Sequence, residues 1–212
     1  MILLAIDTAG IDCSAALFDS AAGTLLSAVS EEIGKGHAER LMAVIDRALD
    51  KAEVELDAVE KIAVVIGPGS FTGIRVGVAA ARGFALSLGI DCVGVSTLEV
   101  LAASYRAQSD ASGPVVVAID AKRDEIYAQG FAADGSPLTE PAALSLDDVE
   151  RLAASLSTGL TGSWISKSTD RFDIGMVARL GAAKNADGTR PKPLYLRGPD
   201  AKPQTGFALA RA

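Results

Sequence analysis

Three short runs place oxygen-bearing side chains where a nucleotide chemistry could use them. Asp7-Thr8 closes one apolar run and Asp120-Ala121 closes another, while Gly67-Pro68-Gly69-Ser70-Phe71-Thr72-Gly73 joins a β-branched run to a long apolar stretch. Carboxylate and hydroxyl oxygens on paired turns facing one cleft suit a nucleotide phosphate or its magnesium. A glycine-rich turn that opens a helix offers free N–H groups and the positive end of the helix dipole to an anion. The candidate cleft set is therefore Asp7, Thr8, Gly67, Gly69, Ser70 and Asp120. The spelling of the glycine run argues the other way. Its G-x-G-x-x-x-G pattern is one residue longer than the dinucleotide fingerprint, and no Gly-Lys-Ser/Thr follows. Ser70 is not in a nucleophile elbow either, because positions 68 and 72 are Pro and Thr. Taken alone, the motif reads as a strand-to-helix turn in which Pro and Gly set the backbone and Ser70 caps the helix.

Other chemistries find fewer residues. His37 is the one histidine, and no run of residues around it supplies a nucleophile, so a solvated histidine at a helix start is expected. One imidazole and no C-x-x-C pair leave no zinc-type ligand set. Cys13 and Cys92, 79 residues apart, read as small buried apolar residues rather than a disulfide framework. Twenty Lys and Arg against 27 Asp and Glu give a net charge of −7, with no basic stripe to grip a phosphate backbone.

The elements that would position these residues show an internal repeat. Residues 3–25 align without a gap on residues 116–138, an offset of 113. Ala5-Ile6-Asp7 falls on Ala118-Ile119-Asp120, Asp12 on Glu125, Ala15 on Ala128, Phe18 on Phe131 and Leu25 on Leu138. Each copy reads as a hairpin, an apolar strand running into an Asp-bearing turn and a second strand. After the first hairpin the pattern predicts a strand at 24–30, an amphipathic helix at 38–52, a strand at 61–66, an apolar helix at 71–89 and a strand at 90–95. After the second come helices at 146–156 and 173–184 with a short strand at 159–162 between them. The reading is an α/β protein of two similar lobes, residues 1–106 and 107–212, whose Pro-rich segment from residue 190 wraps the surface. The longest uncharged run, residues 152–166, is 15 residues and is broken by Gly159 and Gly162, short of a membrane span. Asp7 interrupts the apolar N-terminus before a signal sequence can form, so a cytoplasmic protein is expected.

On the apolar helix, Gly73, Gly77 and Ala81 form a small-residue line at four-residue spacing, and Arg75 and Arg82 share an edge. Such a line lets another helix approach closely, and a face of this kind is either internal core or a subunit contact.

The runs MILLAIDTA, GHAERLMAVIDRAL, IGPGSFTGIRVGVAAARGFALSLGIDCVGVSTLEVLA, AIDAKRDEIYA and PLYLR together resemble the bacterial TsaB family, also called YeaZ. The likeness covers most of the chain and is strongest through residue 131. It implies an ASKHA (actin-like ATPase) fold, two pseudo-symmetric lobes with mixed sheets flanked by helices, in keeping with the repeat. It also implies a non-catalytic subunit of the machinery that installs threonylcarbamoyl on the adenosine next to the tRNA anticodon. In the catalytic relative, TsaD, two metal-binding histidines follow the strand after the glycine-rich helix. Thr97 and Leu101 stand in their places here and cannot supply imidazole nitrogens. The resemblance further implies a helical bundle with TsaD, or with a second copy of this chain when TsaD is absent. Leu41, Met42, Ile45, Leu49, Gly73, Gly77, Ala81, Arg75 and Arg82 are the interface candidates. A further implied partner is the ATPase TsaE, which would hold the ATP; tRNA would be met only through the complex, and no cofactor is expected in this chain. Two rivals remain open: a small ASKHA phosphotransferase using Asp7, Thr8 and Asp120 around magnesium ATP, and a glycoprotease-like peptidase, for which no nucleophile and base are spelled.

Overall fold

A computed structural model describes residues 1–109, 112–121, 124–166 and 170–197. The chain opens with β1 (Ile2–Asp7), β2 (Asp12–Asp19) and β3 (Thr24–Glu32), an antiparallel meander. Next come α1 (His37–Ala52), β4 (Lys61–Gly67), α2 (Phe71–Leu88) and β5 (Asp91–Ser96). β4 adds parallel to β1 and β5 adds parallel to β4, giving a mixed sheet in the order β3-β2-β1-β4-β5. β1 and β4 are buried along nearly their whole length, as their continuous apolar runs require of central strands covered on both faces.

α3 (Thr97–Gln108) leads to the second sheet, entered by β6 (Val115–Asp120) and β7 (Ile126–Phe131). There β8 (Ala142–Leu144), α4 (Leu146–Ser155), β9 (Leu160–Thr161) and α5 (Ser163–Ser166) complete a four-stranded sheet in the order β8-β7-β6-β9. The two hairpins predicted from the repeat are both present. They differ by one residue in register: Asp7 faces Ser14 across the first, whereas Asp120 faces Ile126, not Tyr127, across the second. The second turn is thus one residue shorter, and an ungapped alignment cannot show a slip of this kind. α3, β8 and α5 lie outside the periodic segments read from sequence, the last two because elements of three and four residues carry too little pattern.

The last helix among the described residues, α6 (Ile174–Ala183), leaves the half of the chain in which its sequence lies and packs on the first sheet. Its Gly181 sits directly on Ala63 of β4, so that any side chain there would collide. On the opposite face of β4, Val64 meets Gly77 of α2. The first sheet is therefore sandwiched, α1 and α2 on one side and α6 on the other. Lys61 fastens the end of α6 by donating to the carbonyl of Lys184. α2 is the one helix among the described residues long and apolar enough to cross a membrane, but its inner face is packed on β1 and β4.

Candidate functional site

The Asp7 turn is closed from above by the start of α2. Thr8, fully buried, donates its hydroxyl to the carbonyl of Gly73 at 2.6 Å. A Cβ on Gly73 would overlap the main-chain oxygen of Thr8, and one on Gly77 would overlap its Oγ1. The small-residue line is therefore the price of seating α2 on the β1–β2 turn. Ser70 caps α2 by accepting from Gly73 N at 3.2 Å, while its own N–H donates to Ala9 O at 2.7 Å. Gly69 packs against Ala9, where a Cβ would lie 2.5 Å from the carbonyl oxygen. The capping reading of the glycine run is what the structure shows.

Asp7 is 1% exposed and accepts from Ala9 N at 2.8 Å. Desolvation raises its pKa to about 7, with the nearby Asp12 carboxylate adding to the shift and the backbone N–H groups of Ala9 and Thr8 opposing it. Asp120 is exposed. The two aspartates of the repeat do not form a matched pair: Asp7 lies behind the wall of the cleft and Asp120 lines it.

The cleft itself, about 1040 Å³, runs between the lobes. Gly69, Ser70 and Asp120 of the sequence-derived set line it, while Asp7, Thr8 and Gly67 do not. Lining residues that sequence reasoning missed include Asp124, Glu125, Tyr127, Trp164 and Asp170. The only forward signal was the alignment of Glu125 with Asp12; α5, which brings Trp164, has no motif. In the first turn, the N–H of Ile11 donates to Asp170 O at 3.1 Å, and that same carbonyl rests against Gly10. The turn amide that could meet an anion is thus occupied by a carbonyl of the chain, and the walls carry Asp120, Asp124, Glu125 and Asp170.

Thr97 is fully buried, and its hydroxyl donates to Pro68 O at 2.7 Å, tying the start of α3 to the glycine-rich turn. Leu101 is half-buried and packs on the first core. Neither side chain offers a nitrogen, and among the described residues no group of three His, Cys, Asp or Glu is placed to hold a metal. His37 differs from expectation. It is 6% exposed, and its Nε2 meets no partner among the described residues. Gly34 and Gly36, both with left-handed φ (62° and 84°), turn the chain sharply from β3 into α1, so the first helical residue is tucked inward instead of standing in solvent. Cys13 is buried and Cys92 half-buried, and burial pushes both thiols up to about 11.

Comparison with known proteins places this geometry. The family model of TsaD, the tRNA N6-adenosine threonylcarbamoyltransferase, matches residues 28–184. The tRNA threonylcarbamoyladenosine biosynthesis protein TsaB of Escherichia coli is 31% identical over 169 residues, 80% of this chain and 71% of that protein. The chain belongs to the TsaB family. TsaB of Bacillus subtilis is 35% identical over 127 residues, 60% of this chain and 53% of that protein. A Pseudomonas aeruginosa crystal structure, described as an uncharacterized protein with similarity to peptidase YeaZ, superposes with a TM-score of 0.78 at 28% identity, covering 92% of this chain and 99% of that one. YeaZ from the same organism gives 0.61 at 36% identity over 68% of this chain and 66% of that one. The two lobes with their mixed sheets share the fold of that crystal structure.

For a TsaB-family chain, the helix faces need a correction. Leu41, Ile45 and Leu49 of α1 are buried against β2 and β3, and Gly73, Gly77 and Ala81 of α2 are buried against the Thr8 turn and β4. Helical periodicity identified one face correctly and could not say that it was the inner one. Of the interface candidates, Met42, Arg75 and Arg82 are exposed. The outer face of α2 instead runs Phe71, Arg75, Ala79, Arg82 and Leu86, spaced four, four, three and four residues apart. Phe71 is 57% and Leu86 68% exposed.

Proposed function

We propose that this chain is the non-catalytic partner subunit in threonylcarbamoyl transfer to tRNA, docking on TsaD through the outer faces of α1 and α2. The observation that carries the reading is that outer face, a row with two large exposed apolar residues, Phe71 and Leu86, on a helix whose inner face is already filled. Apolar side chains arranged along one helix face, with arginines between them, are what a helix-packing partner covers. Two further features support a scaffold over an enzyme. The Thr97 hydroxyl is held by Pro68 where the catalytic relative has a metal histidine. The turn that would hold phosphate is closed by the carbonyl of Asp170. In this reading no nucleotide is assigned to the chain; ATP enters with TsaE, and tRNA is contacted through the assembled complex, which suits a chain with net charge −7.

The test is the molar mass, by light scattering on a sizing column, of this chain mixed equimolarly with TsaD from the same source. A one-to-one species is expected. Leu86→Arg should weaken that association at least tenfold while leaving the melting temperature of the isolated chain within a degree or two, because Leu86 is exposed. Separate peaks from two folded proteins would overturn the docking reading.

A further inference from the structure

The segment after α6 returns to both lobes at once. Leu194 donates its N–H to Ile66 O at 2.8 Å, at the end of β4, and Leu196 packs on the first core. Tyr195 lies over the first turn of α2: its ring centroid is 5.6 Å from that of Phe71, and its hydroxyl accepts from Arg75 Nε at 2.7 Å. The Arg75 guanidinium is itself stacked 3.7 Å above the Phe71 ring. Two residues further on, Arg197 donates to Glu125 from Nε at 2.6 Å and also from its terminal nitrogen. Glu125 lies just before β7 in the second lobe and lines the cleft, opposite the Gly69 and Ser70 wall that precedes α2.

Residues 194–197 therefore bridge the two lobes, from the end of β4 and the outer face of α2 to Glu125 on the cleft wall. The bridge brings a guanidinium to a cleft whose lining carries Asp120, Asp124, Glu125 and Asp170, carboxylates that repel one another. At its other end it stands on Phe71 and Arg75, two of the residues that a helix-packing partner would press on. A single residue, Leu196, separates the Tyr195 end from the Arg197 end.

We propose that residues 194–197 are an interlobe clasp that couples occupancy of the outer face of α2 to the opening of the cleft. The clasp itself stands on the contacts above; the coupling rests on the docking reading of the preceding subsection. A partner that covers Phe71 and Arg75 either traps Tyr195 in its stack or displaces it, and in both cases the hold of Arg197 on Glu125 changes. By linkage, a change in cleft opening must then alter partner affinity by the same factor.

The experiment uses the full chain carrying Cys92→Ser, with spin labels at Ala22→Cys in the first lobe and Ala133→Cys in the second, both exposed positions. Cys13 is buried and stays unlabelled. Arg197→Glu and Glu125→Arg should each broaden and lengthen the interlobe distance distribution, and the two together should narrow it again. An unchanged distribution in Arg197→Glu, or no recovery in the double swap, overturns the clasp. TsaD is then added to the labelled chain with and without Tyr195→Ala. The expected result is that TsaD shifts the distribution in the Tyr195 chain and not in Tyr195→Ala, with affinity altered about fivefold, the scale of one aromatic and cation–π contact. Docking with equal affinity and equal distance change in both chains overturns the coupling and leaves the docking reading standing. No docking to either chain overturns the docking reading, while the distances in the isolated chain still decide the clasp.

Discussion

The β1–β2 turn and the β6–β7 turn start from the same Ala-Ile-Asp triplet and end in different environments. Asp7 is 1% exposed and Asp120 is exposed. The cause is the helix above each turn. Over the first, the 18-residue α2 is seated directly on Thr8 through Gly73 and Gly77; in the second lobe, β6 is packed by α3, α4 and the four-residue α5. The cores are unequal too. The first gathers buried residues from β1–β5, α1–α3 and α6 and also takes Val115, Val117 and Ile119 of β6 and Phe131 of β7, whereas the second is built on Val116, Ala118, Ile126, Ala128, Val149 and Ala153. A duplicated hairpin keeps its backbone plan, and what packs on it decides whether its aspartate can meet a ligand.

The sharpest way to break this comparison is to lift α2 off the first turn. Gly73→Leu drives a side chain into the main-chain oxygen of Thr8, which cannot yield without moving β1. The expected outcome is a loss of about 4 kcal/mol or more, or no folded protein, on denaturant titration. Gly135→Leu, at a second-lobe position with open space around it but left-handed φ, should cost about 1 kcal/mol through backbone strain alone. Equal losses would mean that α2 does not seal the first turn.

The burial of Asp7 should next show in a response to pH. The folded pKa of Asp7, raised to about 7, exceeds the unfolded value of 3.8. Between those values the unfolded chain has released the proton and the native chain still holds it, so stability falls as pH rises from about 4 to 7 and the whole cost is present above 7. That cost is at most about 4 kcal/mol. Asp7→Asn mimics the protonated acid and should therefore stabilise the protein at pH 8 by about 2 to 4 kcal/mol, with little change at pH 4. Melting curves at the two pH values decide it; a pH-independent effect of Asp7→Asn would mean that the carboxyl is not buried as described.

Amide exchange would sharpen the contrast between the cores. Amides of α4 and β8, which pack on the second core alone, should open at least tenfold more readily than those of β1 and β2, because a small core gives a small cooperative unit. Uniform protection across both sheets would mean that α3, which packs on both, welds them into one unit.

Much of this was legible in the residues. The hairpins, the central strands and the long helices follow from apolar runs and from the 3.6-residue spacing of Leu41, Ile45 and Leu49, since those patterns are what burial on a sheet imposes. The direction of that burial was not legible: Gly73, Gly77 and Ala81 look alike whether they meet another subunit or the Thr8 turn. Nor was the return of α6 to the first sheet, because Gly181 is fitted to Ala63 across more than a hundred residues of sequence. The acidic cleft walls were missed for a similar reason, Asp170 and Glu125 being brought together by loops with no periodicity. His37 was misjudged because two glycines, not the histidine, decide where the helix starts.

The smallest expected effect isolates one hydroxyl. Thr8 and Ala121 occupy equivalent places after the two aspartates, and both are buried. Thr8 gives its proton to Gly73 O at 2.6 Å, a bond from a hydroxyl with no exposure. Thr8→Val keeps the shape and removes the donor, so it should cost about 1 kcal/mol, the net worth of one buried hydrogen bond. Ala121→Thr adds the hydroxyl to the copy that lacks an α2 above it. It should stabilise nothing, because the acceptor that rewards Thr8 comes from the helix and not from the hairpin. If Ala121→Thr instead raised stability, the second turn would have to hold an acceptor of its own in the position of Gly73 O, and the asymmetry between the turns would lie in their sequences more than in what covers them.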